Sequence, residues 1–235
     1  MNAIKGYAAG AWLQMRNLWK VLALLYIPIA ALFVFVGILS RLVDNASLAF
    51  FLRDIVATGK LPFFAGFVAQ LGGMLWSASL TVCLFALYVL GKQNGELSGA
   101  KRLLWYGGIL TLALLMDDIF LFHEEIAPEY LGINEKIVVA GYGVLGVLFV
   151  VVNWREILSS EYLILGLALG LFALSIFLDA LPIDDFHLRY FWKQLEMFLE
   201  DGSKFAGIAT WLTYFARYTQ QKIASIQEAT ASQKG

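Results

Sequence analysis

The sequence predicts an all-α integral membrane bundle of six transmembrane helices with short amphipathic interfacial helices. Composition is the first observation behind this: 60% of the 235 residues are hydrophobic and only 15% charged, against roughly 45–50% and 25% in soluble domains. A globular core cannot absorb that excess, because a large surface must still face water. The second is length: apolar runs of about 20 residues, enough to cross a bilayer at ~1.5 Å per residue, recur along the chain. The third is exclusion. A net charge of −1 rules out a strongly basic nucleic-acid binder, and a single cysteine, Cys83, permits neither an intrachain disulfide nor a Cys-based zinc site.

In chain order, residues 1–20 form a cationic amphipathic helix on the cytoplasmic face. Ile4, Tyr7, Ala8, Ala11, Trp12, Met15 and Trp19 recur near helical spacing, with Lys5, Arg16 and Lys20 between them. Residues 21–39 are the first span; Pro28 lies inside it, which lipid-embedded helices tolerate. No small-residue cleavage site follows, so the run is expected to be a retained anchor. Residues 47–58 place Leu48, Phe51, Leu52, Ile55 and Val56 on one helical face with Arg53 and Asp54 opposite. That segment is too short to span and is expected at the interface. Five further spans follow at 61–90, 103–122, 137–153, 162–181 and 190–218. Gly166 and Gly170 form a GxxxG pair, and Gly141, Gly143 and Gly146 crowd the fourth span; close helix packing is the expectation for both. Residues 21–218 thus make one membrane domain, and 219–235 are expected to be a polar, disordered cytoplasmic tail.

Six spans put both termini on one side. Lys5, Arg16, Lys20, Lys92, Lys101, Arg102, Arg155, Arg217, Lys222 and Lys234 share that side, whereas the 123–136 and 182–189 loops opposite are acidic. The excess of bases marks the cytoplasmic face of a bacterial-type inner membrane.

With that topology, three anomalies arrive at one depth, in the outer half. The stretch 116–125, MDDIFLFHEE, places Asp117, Asp118, His123, Glu124 and Glu125 at the end of the third span. Asp179 ends the fifth. Glu196, Glu200, Asp201 and Lys204 open the sixth, with Glu196, Glu200 and Lys204 as an i, i+4, i+8 stripe. If the third-span helix continues, Asp117 shares a face with Glu124, and Asp118 with Glu125. A charge at the centre of a span costs about 2.5–3.5 kcal/mol, less near the interface. Five of these acids, Asp117, Asp118, Asp179, Glu200 and Asp201, could therefore approach ~10 kcal/mol, and Lys204 neutralises only one.

Two chemistries fit such a cluster. One is metal-assisted or acid/base catalysis, with Asp117, Asp118, Glu200, Asp201 and Lys204 as catalytic candidates. Asp117, Asp118, His123, Glu124, Asp179 and Glu200 are then the candidate ligands of a divalent metal: zinc, manganese or iron for a mixed carboxylate–imidazole set, magnesium for oxygen alone. His187 is a further candidate ligand. The depth suits a lipid or isoprenoid substrate. The other is proton or cation transport through the carboxylates, although no inverted repeat or inner-half acid completes a pathway. A third possibility is structural: the acids and Lys204 pin helices together, as expected of an accessory subunit with a membrane-protein partner. A retinal-type Schiff base on Lys204 is disfavoured by six spans rather than seven. The spacing matches no metalloprotease motif.

The pattern Asp117, Asp118, His123, Glu124 with a later Glu200, Asp201 and Gly207 resembles a broad group of uncharacterised bacterial multi-pass membrane proteins. Their Asp-Asp or Asp-Glu…His-Glu closes a span, and a late Glu-Glu or Glu-Asp precedes a glycine-containing helix. The resemblance covers about the third to sixth spans and implies no known activity. Ceramidase-like hydrolases need three histidines at their metal site; this chain has His123 and His187 alone.

Overall fold

The computed structural model describes residues 2–42, 52, 55–62, 64–91, 98–180 and 189–232. Among these, every regular element is helical. Four helices are long and apolar enough to cross a membrane. Helix is the expected outcome, because a backbone in hydrocarbon must satisfy its own hydrogen bonds.

The chain divides into two compact units, Met1–Ala65 and Gly66–Gly235. In the first, α1 (Asn2–Leu42) is one continuous helix that carries Pro28 within it. The amphipathic and spanning segments expected at 1–20 and 21–39 are therefore parts of one element, whose apolar portion is Tyr26–Leu42. Of the expected interfacial helix at 47–58, α2 (Ile55–Thr58) is seen; residues 47–51, 53 and 54 lie outside the described residues.

The second unit holds α3 (Phe67–Gly91), α4 (Ser98–Phe120), a π-helical segment (Phe122–Tyr130), α5 (Glu135–Leu158), α6 (Tyr162–Asp179) and α7 (Arg189–Ser232). The helices α3 to α6 are the four of spanning length and apolarity. Asn134 caps α5, its Oδ1 accepting from the Lys136 N–H at 2.9 Å. The principal packing is α6 on α7, with α3 packed against both α4 and α7, and α4 against α5. Residues 219–232 continue α7 instead of forming the disordered tail expected there.

Aromatic rings fill the centre. Trp76 of α3 stacks on Phe172 of α6 at 5.6 Å and meets Trp211 of α7 edge-on at 6.3 Å. Trp211 in turn contacts Phe149 of α5 at 5.6 Å and Phe215 at 5.1 Å. The indole of Trp211 is fully buried and donates to Thr111 Oγ1 at 2.9 Å, while that hydroxyl donates to the Gly107 carbonyl at 2.6 Å. The Trp211 N–H and the Thr111 hydroxyl thus both have partners, as burial of a ring N–H demands.

Two glycines make room for these rings. A Cβ on Gly107 would collide with the ring of Phe215, and one on Gly207 would sit 2.7 Å from Phe172. By contrast, Gly141, Gly143, Gly146, Gly166 and Gly170 have nothing within 4 Å of a Cβ position. Among the described residues, the GxxxG pair and the glycines of the fourth span therefore make no close packing contact, contrary to expectation. Their spacing fits a helix contact, but the rotation of α5 and α6 turns them away from the bundle.

Candidate functional site

At one end of the second unit, Asp117 and Asp118 finish α4 side by side and face different partners. Asp118 is held between two helices: Trp76 Nε1 of α3 donates to its Oδ2 at 2.8 Å, and Lys204 Nζ of α7 pairs with its Oδ1 at 2.7 Å. Both carboxylate oxygens are occupied.

Asp117 is buried, and its carboxylate receives three donors. The His123 backbone N–H reaches Oδ1 at 3.0 Å, the Tyr142 hydroxyl of α5 reaches the same oxygen at 3.0 Å, and His123 Nδ1 reaches Oδ2 at 2.6 Å. The other ring nitrogen, Nε2, lies 3.6 Å from Glu124 Oε1. The side chain of His123 keeps 17% of its surface exposed and that of Glu124 keeps 50%, so the pair leads from the buried Asp117 toward the outside.

The backbone explains how His123 gets there. Leu121, between α4 and the π-helical segment, has φ +50° and ψ +46°, the left-handed region. For a bulky L-residue that conformation costs roughly 1–2 kcal/mol. It stops α4 and redirects the chain, so residue 123 returns over the carboxylate six positions behind it. The next turn is wide: Leu121 O accepts from both Glu125 N at 2.8 Å and Ile126 N at 3.3 Å. Pro128 lacks an N–H, and Gly132 at φ +64° closes the segment, with Ile133 N on Ala127 O at 2.9 Å. Such π segments are frequent at functional sites. The assumption that Asp117 shares a helical face with Glu124, and Asp118 with Glu125, fails here because the helix ends between them.

The Asp117 hydrogen bond is the largest influence on His123 and raises its pKa above the ordinary value of 6.5; burial opposes it, and Glu124 adds to the rise. With the carboxylate on Nδ1, the neutral ring carries its proton there and presents a basic Nε2.

Of the residues singled out from sequence, the structure brings together Asp117, Asp118, His123, Glu124 and Lys204. Lys204 pairs with Asp118 across helices, not with Glu200 along α7 as the i, i+4 spacing suggested. Glu200 lies in the field of Asp179, Glu196 and Asp201, forming an acidic rim beside the pair; Asp179 and Asp201 are exposed. Among the described residues, no three His, Cys, Asp or Glu side chains converge to hold a metal ion. His187 lies outside the described residues.

Sequence reasoning missed Trp76 and Tyr142, although a buried indole N–H or phenol O–H usually finds a partner. It also missed a second polar cluster at the other end. There Glu156 Oε1 accepts from Tyr218 OH at 2.6 Å and pairs with Lys222 Nζ at 2.6 Å. Ser160 and the Tyr214 hydroxyl meet at 2.9 Å, Arg102 Nε donates to Asn153 Oδ1 at 3.4 Å, and Arg217 pairs with Glu161. Along α7, Lys204 and Lys222 stand about 27 Å apart at ~1.5 Å per residue, close to the ~30 Å of a hydrocarbon core.

The fold and this end-cluster define a class: a helical protein with four helices capable of crossing a membrane, and a carboxylate–histidine–lysine cluster at one end of the unit they belong to. Within that class, the chain belongs to the family of the domain of unknown function DUF8692, whose model matches residues 8–218. No curated protein and no solved structure matches it.

Proposed function

We propose that this is a multi-pass membrane protein that performs general acid–base chemistry on a lipid-like substrate, such as an isoprenoid, at the Asp117–His123 pair. In this reading the apolar parts of α1 and α7 add two spans to the four. Both termini lie on the cytoplasmic side of a bacterial-type inner membrane, and the pair opens outward.

The observation that carries it is the arrangement of His123: a buried carboxylate on Nδ1 at 2.6 Å and a half-exposed carboxylate facing Nε2 at 3.6 Å. An imidazole so held takes a proton at Nε2, and the resulting imidazolium is stabilised by Asp117. Glu124, at the rim, accepts that proton and returns it to water. Tyr142 and the His123 N–H keep the Asp117 carboxylate fixed throughout. Lys204 and Asp118 brace the neighbouring helices.

Proton transfer needs no metal, and a metal-assisted version would draw ligands from outside the described residues. Transport is less well supported, because the ring block of Trp76, Phe172, Trp211, Phe149 and Phe215 lies between the two polar ends. The structural, accessory-subunit reading has one observation in its favour: both oxygens of Asp118 are taken by neighbouring helices.

The test is lipid profiling by mass spectrometry after incubating the purified protein with total membrane lipid. Wild type should convert at least one lipid species. Asp117→Asn and His123→Gln should lower the rate at least a hundredfold, and Glu129→Gln should not. Identical lipid profiles with wild type and His123→Gln would leave the structural reading in its place.

A further inference from the structure

Beside the Asp117–His123 pair, we infer that Lys204 is a further catalytic residue, whose ammonium holds the oxyanion formed when an uncharged ester lipid is hydrolysed at His123. The inference rests on the acid–base reading of that pair and names its substrate class, an acyl ester without a charged headgroup. Lys204 Nζ pairs with Asp118 Oδ1 at 2.7 Å, which takes one of the three N–H donors of an ammonium. Among the described residues nothing else takes the other two, and the side chain is 39% exposed. Asp118 directly follows Asp117, and consecutive Cα atoms stand ~3.8 Å apart. The carboxylate that anchors the ammonium is thus the neighbour of the one that anchors the imidazole. The charge of Lys204 also acts on His123, and it acts more strongly on Glu124 than on Asp117. Glu124 is the carboxylate at Nε2 and Asp117 the one at Nδ1, so the ammonium lies toward the ring edge where the proton moves.

The surrounding charge selects the substrate. Glu124 and the acidic rim of Asp179, Glu196, Glu200 and Asp201 repel a phosphate or carboxylate headgroup, and Lys204 is already neutralised by Asp118. Its free N–H groups suit an oxygen that becomes negative only during the reaction. Such an interaction lowers the barrier without tightening ground-state binding. In the step, a water oxygen attacks the acyl carbon while His123 Nε2 takes a proton from that water. The carbonyl π pair moves onto its oxygen, which accepts from the Lys204 ammonium. Collapse of the tetrahedral intermediate breaks the bond between acyl carbon and ester oxygen, and the imidazolium returns the proton to the departing alkoxide. Fatty acid and alcohol leave, one water is consumed, and nothing is oxidised or reduced.

The experiment incubates the purified full chain with diacylglycerol and with phosphatidic acid of matched chains, in heavy-oxygen water. Wild type should release labelled fatty acid from diacylglycerol about tenfold faster than from phosphatidic acid, a comparison that needs no variant to fold. Asp118→Asn keeps the Lys204 ammonium and should cost less than about tenfold in kcat. Asp118→Asn with Lys204→Met removes the donor together with the carboxylate it would leave unpaired. That double variant should lose about a hundredfold or more in kcat with KM little changed, whereas Lys136→Met should behave as wild type. If Lys204 serves only to pair with Asp118, the single and double variants lose equally, and that result would overturn the inference. So would a preference for phosphatidic acid, or a wild type that converts other lipids but not diacylglycerol; either leaves the acid–base reading standing. A wild type that converts no lipid at all removes that reading and this inference with it.

Discussion

His123 is stabilised by Asp117 more strongly as an imidazolium than as a neutral ring, and this fixes the sign of its pH dependence. Its folded-state pKa is raised above 6.5, chiefly by the Asp117 hydrogen bond. The contribution is therefore fully present below about pH 6.5 and is lost as pH rises through the higher folded value. Thermal unfolding in detergent should show stability falling as pH rises from about 6.5 through the raised folded value in wild type, with the fall reduced in His123→Gln. The same slope in both proteins would mean the pair is not formed. The residues of this pair could be found in the sequence because adjacent acids in an apolar run are expensive and demand a reason. Trp76 and Tyr142 gave no such signal. Rings are common in spans, and which of them donates to a carboxylate depends on helix rotation, which composition does not encode.

Helices were read well as apolar runs and less well at their ends and faces. Run length located α3 to α6 because hydrocarbon requires uninterrupted helix. It understated α7, whose later turns are polar yet helical to Ser232, and it carried α4 past Leu121, where a left-handed residue ends it. Glycine spacing misled in the same way: GxxxG describes a helix that could be approached closely, not one that is. In this bundle the close approaches to aromatic rings are at Gly107 and Gly207, against Phe215 and Phe172. Phe215 is itself locked between Trp211, Phe149 and Tyr214, so its ring cannot move aside. Gly107→Ala and Gly207→Ala should each lose about 1–3 kcal/mol from overpacking. Gly166→Ala and Gly170→Ala should be neutral or gain up to about 1 kcal/mol, since alanine is the better helix former and meets nothing. Chemical denaturation of the four variants checks this. A loss at Gly166 equal to that at Gly107 would show that α6 packs against another chain or element through its glycine face.

Across the second unit the two ends differ in sign: Asp179, Glu196, Glu200 and Asp201 at one, Arg102, Arg155, Arg217 and Lys222 at the other. Bases are retained on the cytoplasmic side of a membrane, so the end holding Glu156 and Lys222 should face the cytoplasm and the Asp117 site should face out. The number of crossings turns on α1, whose apolar part, Tyr26–Leu42, is shorter than the four spanning helices, and on α7, which carries charge within it. Single cysteines introduced in a Cys83→Ala background, probed with a membrane-impermeant thiol reagent on intact and permeabilised cells, separate the cases. With six crossings, Glu129→Cys labels from outside, while Asn2→Cys, Glu161→Cys and Glu228→Cys label only after permeabilisation. If α1 lies on the surface instead, Asn2→Cys moves to the outside with the others unchanged, because α3 would then be the first crossing. If α7 does not cross, Glu228→Cys moves outside. That result would also break the pairing of Lys222 with Glu156, because the two residues could no longer meet on one side of the membrane.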